Sequence, residues 1–265
     1  MAISIKNQIE LAAMRRAGQV TGEILQVLAH SVRSGMTTRE LDHIAERELK
    51  ARGARSSFNG YHGYPATLCV SINEQIVHGI PGERVIKEGD LVSLDFGAIV
   101  DGYNGDAAVT VAVGNTTQQA NKLLQATREA LEAGIAAARA GGHLGDISST
   151  IQQYAESRGF GVVREYTGHG IGRTMHEEPL VPNFGRAGDG PELKPGMTFA
   201  LEPMLTAGGW RTRVGPDGWL VSTADCSLAA HFEHTIAITR DRAEILTVWP
   251  AKDEVSSGKS TAACA

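Results

Sequence analysis

Residues 87–95 read KEGDLVSLD and residues 194–202 read KPGMTFALE. At an offset of 107 the two stretches match lysine to lysine and glycine to glycine. Each ends an apolar, strand-like run on an acid, Asp95 in one and Glu202 in the other. An offset of 106 relates segments upstream: Gly35 falls on Gly141, Leu41 on Ile147, Ala45 on Ile151, and Arg52-Gly53 on Arg158-Gly159. A loop absorbs the one-residue slip between blocks. Helix periodicity alone can produce the upstream match, but it does not align a lysine, a glycine and a strand-end acid. The chain therefore reads as two similar α/β halves, each giving an equivalent carboxylate to a central site.

The segments around these stretches fit that frame. Ile9, Ala12, Ala13, Val20, Ile24, Leu25 and Leu28 predict an amphipathic helix over about 7–32. Thr37 or Thr38 caps a second helix, which ends at Gly53. LVSLDFGAI (91–99) and DAAVTVAVG (106–114) predict strands joined through VDGYNG, a hairpin with a loop longer than two residues. Helical patterns follow at about 116–140 and 146–158, then strands at 198–205, 218–223, 233–239 and 243–248. The segment 250–265 is polar, rich in small residues, and expected to be disordered.

Composition removes several classes. The chain has 265 residues, 42% of them hydrophobic, enough for a full core. A formal charge of −5 argues against nonspecific nucleic-acid or anionic-membrane binding. No apolar run approaches the roughly 18 residues of a membrane span, and the start has no apolar leader core. Cys69, Cys226 and Cys264 are odd in number and lack paired spacing, which fits a reducing cytoplasm and excludes a cysteine-rich zinc site.

A carboxylate inside an apolar strand costs several kcal/mol unless it is paired or holds a cation. Asp95 sits in LVSLDFG, Glu202 in FALEPM, Glu233 opens EHTIAIT, and Asp106 starts the strand that returns beside Asp95. Each alone reads as a salt bridge or a strand-end turn residue. Together they lack basic neighbours, and four carboxylates with one imidazole suit two divalent cations. The imidazole comes from TGHGIGRTMHEEP (167–179), where Gly168, Gly170 and Gly172 interrupt both helix and strand patterns. The expectation is a loop: Gly168 and Gly170 let the backbone crowd the metals, His169 ligates, and His176 reaches back. Taken alone, the run reads equally as a surface loop that happens to carry histidines.

NEQIVHGIP, SLDFGAIVDGYNGD, TGHGIGRTMHEEP, KPGMTFALEP and HFEHT together resemble the motifs of type I methionine aminopeptidases, the bacterial short form. The likeness runs from the N-terminal helix to about residue 248. It implies an α+β pita-bread (creatinase/aminopeptidase) fold, two pseudo-symmetric halves around a curved antiparallel sheet. Residues 1–249 would form a single catalytic domain. The implied activity is removal of the N-terminal methionine from nascent polypeptides with a small second residue. Only about 26 residues separate His176 from Glu202, which leaves no room for the helical insertion of type II enzymes. By the same resemblance, a form without a zinc-finger extension before the first helix is expected.

By this resemblance Asp95, Asp106, His169, Glu202 and Glu233 would ligate two divalent ions (Co, Mn, Fe or Zn), with Asp106 and Glu233 bridging. A water activated between the ions would attack the carbonyl after the first residue, with Glu202 relaying its proton to the leaving amine. His176 would hydrogen-bond the carbonyl oxygen as charge develops there, and His78 would contact the scissile amide or leaving nitrogen. Phe58, Tyr61, Tyr64, Cys69, Met175 and Trp219 fall where such enzymes enclose the methionine side chain, which aromatic rings and sulfur suit. Cys69 reads equally as core packing. Implied partners are N-termini of nascent chains, with transient ribosome contact, and the working form is a monomer.

Two positions depart from that pattern. Met175 stands where an aromatic is usual, which leaves the pocket shape open. His231 stands where glutamine is usual, and strand alternation would put it on the same face as Glu233. It reads either as a hydrogen-bond partner of the ligands or as a residue that alters metal preference. His30 and His43, on helices, and His143, in a loop, read as structural or surface groups. An X-Pro peptidase of the same superfamily and a non-catalytic binding protein are the competing readings. A nucleotide site at GHGIG lacks the strand–GxGxxG–helix context.

Overall fold

In the computed structural model, which describes residues 2–248, helix α1 (Gln8–Ser31) starts where a capping box tells it to. The Asn7 side chain accepts from the N–H groups of Ile9 and Glu10, and Glu10 returns a carboxylate to the Asn7 N–H. Thr37 and Glu40 do the same for α2 (Thr38–Ala51), so of the two candidate threonines Thr37 is the cap. Thr117 caps α3 (Gln118–Ala137). At α4 (Leu144–Glu156), Asp146 reaches back to the His143 N–H, which makes His143 a helix-start residue. The tail expected at 250–265 lies outside the described residues.

Among the described residues the main sheet has nine strands. Its order is Arg55–Ser56, Leu91–Val100, Tyr103–Ala112, Glu233–Ile238, Thr198–Leu201, Gly168–Gly170 and Glu177–Val181. Leu68–Ile72 also pairs with Leu91–Val100, and Ala243–Ile245 with Glu233–Ile238. Every pairing is antiparallel. Ile24, Leu25 and Leu28 of α1 and Leu41 and Leu49 of α2 bury against Leu94 and Phe96. Leu123 and Leu131 of α3 and Ile147 and Ile151 of α4 do so against Phe199, Leu201 and Ile236. Each half therefore has its own core beneath its own helix pair.

The halves repeat in detail. Gly89 and Gly196, the glycines of the two matched stretches, both turn the chain with positive φ, 88° and 93°. The Gly35 N–H donates to the Ile86 carbonyl, and the Gly141 N–H to the Leu193 carbonyl, each at 2.9 Å. Isolated bridges join Thr37 to Val85 and His143 to Glu192.

Three local expectations change. The strands Leu91–Val100 and Tyr103–Ala112 pair as far as Val100 and Tyr103, so the turn is only Asp101-Gly102. Both turn residues have positive φ, 51° and 76°, as a tight twisted hairpin needs. Asp106 consequently lies within its strand, opposite Gly97, rather than at its start. The strand expected over 198–205 is two: the ladder stops at Leu201, and Pro203 cannot donate to it. Met204–Thr206 then pairs with Ala229–His231 in a separate sheet.

Candidate metal centre and substrate cleft

The register assembles the site. Asp95 pairs with Ala108, and Ala108 pairs with Glu233. Directly opposed residues share a sheet face, as do residues two apart on a strand. Asp95, Asp106 and Glu233 therefore surround Ala108 on one face. His169 pairs with Ala200, and Ala200 with Thr235, two residues from Glu233; Glu202 lies two beyond Ala200. All five side chains expected to bind metal thus share a face, and the small Ala108 and Ala200 leave room between them. Thr235 pins Asp106: its Oγ1 accepts from the Asp106 N–H at 2.9 Å and donates to the Asp106 carbonyl at 2.8 Å.

His169 is buried, and its Nδ1 lies 2.9 Å from the Gly170 carbonyl. A carbonyl only accepts, so Nδ1 carries the proton and Nε2 presents a lone pair. That lone pair stands 3.8 Å from Asp106 Oδ2 and 3.7 Å from Glu202 Oε1. Asp95 Oδ1, Asp106 Oδ1 and Glu233 Oε1 are buried without hydrogen-bond partners. Among the described residues no lysine or arginine pairs with any of the four acids. Acceptors facing acceptors in a buried space are stabilised by a cation, or failing that by protons, between them. Asp106, His169 and Glu233 offer ligand atoms within 4.8 Å of one another. The donor set, hard oxygens with one imidazole nitrogen, fits a divalent ion.

Without a cation the protons respond. Burial pushes Asp95 up to about 7. Burial, and then repulsion from neighbouring carboxylates, holds Asp106, Glu202 and Glu233 well above the usual carboxylate range. Burial lowers His169 and His231 to about 3, so both imidazoles are neutral and able to ligate.

The glycines beside His169 serve close approach, here of neighbouring backbone. Gly168–Gly170 is a strand, not a loop, and neither glycine has positive φ. A Cβ on Gly168 would meet the Ala200 carbonyl oxygen at 2.4 Å, and one on Gly170 the Glu178 carbonyl oxygen at 2.3 Å. They admit neighbouring backbone to either side of His169, that of Thr198–Leu201 at Gly168 and that of Glu177–Val181 at Gly170.

A cleft of about 450 Å³ opens on the acids, lined also by Phe58, Tyr61, Tyr64, Cys69, Met175 and Trp219. Every residue expected to enclose a substrate side chain lies on it. His78 lies there too, its backbone at φ 60°, a strained value outside glycine, and its ring edge-on to Tyr166 and Trp219. Burial, and then His176, lower His78 to about 4. His176 lies with its ring centroid 4.0 Å from that of His169. Its Nδ1 is 2.8 Å from the Tyr61 hydroxyl. With that hydroxyl donating, the His176 proton resides on Nε2, a donor for the cleft. Burial, then His62, keep His176 below its ordinary value.

The family model for metallopeptidase family M24 matches residues 12–240. The chain belongs to that family. The methionine aminopeptidase of Clostridium perfringens is 50% identical over 246 residues, covering 93% of this chain and 99% of that protein. Methionine aminopeptidase 1 of Bacillus subtilis is 48% identical over 245 residues, 92% of this chain and 99% of that protein. The crystal structure of methionine aminopeptidase from Thermotoga maritima superposes with a TM-score of 0.92 at 44% identity, over 94% of this chain and all of that one. The fold is accordingly the pita-bread fold, and the chain is a type I member of the M24 metallopeptidases.

Against this M24 frame, four cleft residues were not anticipated: His62, Val77, Tyr166 and Thr167. Val77 precedes His78 and Tyr166-Thr167 precede Gly168, so adjacency to motif residues was the available signal. Met175 is buried and packs with Phe58, Tyr64 and Cys69. Tyr64 is fixed by its hydroxyl, within 3.1 Å of the Leu68 carbonyl and 3.0 Å of the Gly79 carbonyl. His234 instead bonds Thr247 Oγ1 at 2.9 Å.

Proposed function

We propose that this chain, as one catalytic unit over residues 1–249, removes the N-terminal methionine from newly made polypeptides with a small second residue. One observation carries the reading: the locked His169 tautomer aims a lone pair at buried, unpaired carboxylates beside an aromatic cleft. Asp95, Asp106, His169, Glu202 and Glu233 would hold two divalent ions of the Co, Mn, Fe or Zn type. Bound there, the ions would supply an activated water and polarise the scissile carbonyl.

The protein's own groups do the rest. Phe58, Tyr61, Tyr64, Cys69, Met175 and Trp219 enclose the methionine side chain, the sulfur lying among ring edges. Glu202 takes the water's proton at its carboxylate and delivers it to the leaving amine as the carbon–nitrogen bond breaks. His176 donates from Nε2 to the carbonyl oxygen as negative charge grows there, its tautomer set by Tyr61. His78 contacts the scissile amide. Nascent chains are then the partners, met in the cytoplasm with transient contact at the ribosome, and the enzyme works as a monomer. Unpaired Cys69 and Cys226 agree with a reducing compartment. Among the described residues no helix is long and apolar enough to cross a membrane.

Metal-stripped protein, with and without Co(II), Mn(II) or Fe(II), is incubated with Met-Ala-Ser, Met-Lys-Ser, Leu-Ala-Ser and Ala-Pro-Ala, and products are read by mass spectrometry. Metal-dependent loss of methionine from Met-Ala-Ser alone is expected. Cleavage of Ala-Pro-Ala instead moves the chain to proline-specific chemistry, and no cleavage with any metal leaves a binding protein.

A further inference from the structure

His231 has no task in that reading, yet it is built into the site. It ends the strand Ala229–His231 and is 1% exposed. Neither ring nitrogen has a hydrogen-bond partner among the described residues. Its Nε2 stands 3.8 Å from Glu202 Oε2 and 3.8 Å from Glu233 Oε2, too far for an N–H···O bond. Thr110 holds the main chain in place, accepting from the His231 N–H and donating to its carbonyl, each at 2.8 Å. A buried imidazole with both nitrogens unpaired is costly, and such groups in native folds ordinarily have a partner. Bonds of about 2.1 Å from nitrogen and from carboxylate oxygen together span up to about 4.2 Å. A cation therefore fits between His231 Nε2 and either oxygen.

We propose that His231 is a further metal ligand, a second imidazole donor on Nε2 to a divalent cation shared with Glu202 and Glu233. The proposal rests on the metal-site reading above. A second nitrogen donor shifts the site toward Co(II), Fe(II), Ni(II) or Zn(II) and away from Mn(II) or Mg(II), which carboxylates alone serve well.

Full-length protein loaded with Co(II) tests this by proton NMR in water. Each imidazole bound to Co(II) carries one exchangeable ring N–H displaced far outside the ordinary spectral range. Two such signals are expected in the wild type and one in His231→Gln, with the remaining signal lost in His169→Gln. Equilibrium dialysis should show Co(II) affinity falling about tenfold or more in His231→Gln, with Mn(II) affinity changed less than about twofold. A single displaced signal in the wild type overturns the proposal even if no variant folds, as does a His231→Gln spectrum and affinity matching the wild type. A wild type that takes up no Co(II) and cleaves no peptide overturns the metal-site reading with it. One signal alongside cleavage of Met-Ala-Ser overturns only the role of His231.

Discussion

Replacing Gly168 by alanine should cost both stability and rate, because the space for one methyl group is occupied by backbone. The added Cβ would lie 2.4 Å from the Ala200 carbonyl oxygen, 3.2 Å from the Val181 carbonyl oxygen and 3.3 Å from Val181 Cβ. Ordinary contact begins near 3.4 Å, so the Ala200 side alone must retreat by 1.0 Å, the difference between 3.4 and 2.4 Å. No flexible side-chain end is present to yield. Overpacking of this kind costs about 1–3 kcal/mol. For a chain of this size about 2 kcal/mol lowers Tm by roughly 4–8 °C. His169 moves with its strand, and a shift near 1 Å in a reacting constellation costs about a hundredfold in rate. The assay is a pair of thermal melts by circular dichroism on metal-free protein, with kcat/KM on Met-Ala-Ser. Gly82→Ala is the control: a Cβ there meets nothing within 4 Å and the backbone has no positive φ. It should melt with the wild type, within about 0.5 kcal/mol. If Gly168→Ala melts within a degree of the wild type and keeps its kcat/KM, the close strand contact does not hold His169 in place.

Three further outcomes follow from the site. His176→Ala should lower kcat by about 10²–10³-fold, as loss of a donor to a developing oxyanion does, while metal content by mass spectrometry is unchanged. Tyr61→Phe keeps the ring in the cleft but removes the bond to Nδ1; kcat should fall about fivefold to tenfold with KM little changed, and an equal loss in kcat/KM through KM alone would contradict the tautomer role. Stability of the metal-free protein should fall as pH rises from about 6.5 to 8.5. Asp95, at about 7, and Asp106, Glu202 and Glu233, also raised well above the usual carboxylate range by burial, hold protons that the unfolded chain has already released, so rising pH favours unfolding. The lowered values of His78, His169, His231 and His234 act in the opposite sense, but only below their unfolded value of about 6.5. Saturating Co(II) should remove the fall, and a metal-free Tm that is flat across the window would refute it.

The acids were legible in the sequence because buried charge leaves a local trace: an Asp or Glu inside an apolar run needs an explanation within its own few residues. The repeat was legible for a similar reason, since Gly89 and Gly196 and the acids that follow them sit in matching local contexts. What escaped depended on partners far along the chain. Gly168 is small because of Ala200 and Val181, and nothing near residue 168 announces them. Ala108 and Ala200 look like ordinary strand alanines until the register places them between the acids. The Tyr61–His176 bond spans 115 residues. The hairpin at Asp101-Gly102 was hidden because Tyr103, Asn104 and Gly105, polar or turn-like by type, are buried strand residues against α1 and the loop that follows Gly170.

The order in which the donors occur along the chain has a consequence for synthesis. Asp95 and Asp106 belong to the first half, His169 and Glu202 to the second, and Glu233 to a strand that pairs with both Tyr103–Ala112 and Thr198–Leu201. A growing chain that ends before residue 233 lacks both that acid and the strand that joins the halves. The Lys6 N–H, at the beginning, donates to the Gly196 carbonyl, and the Leu246 carbonyl, near the end, packs against Gly18. Lys6 and Leu246, near the two ends of the described residues, are thus each held by the opposite half. On the proposed reading, the set of Asp95, Asp106, His169, Glu202 and Glu233 is complete only once the chain has been made through its last strands, so an unfinished copy lacks part of the site proposed to hold metal.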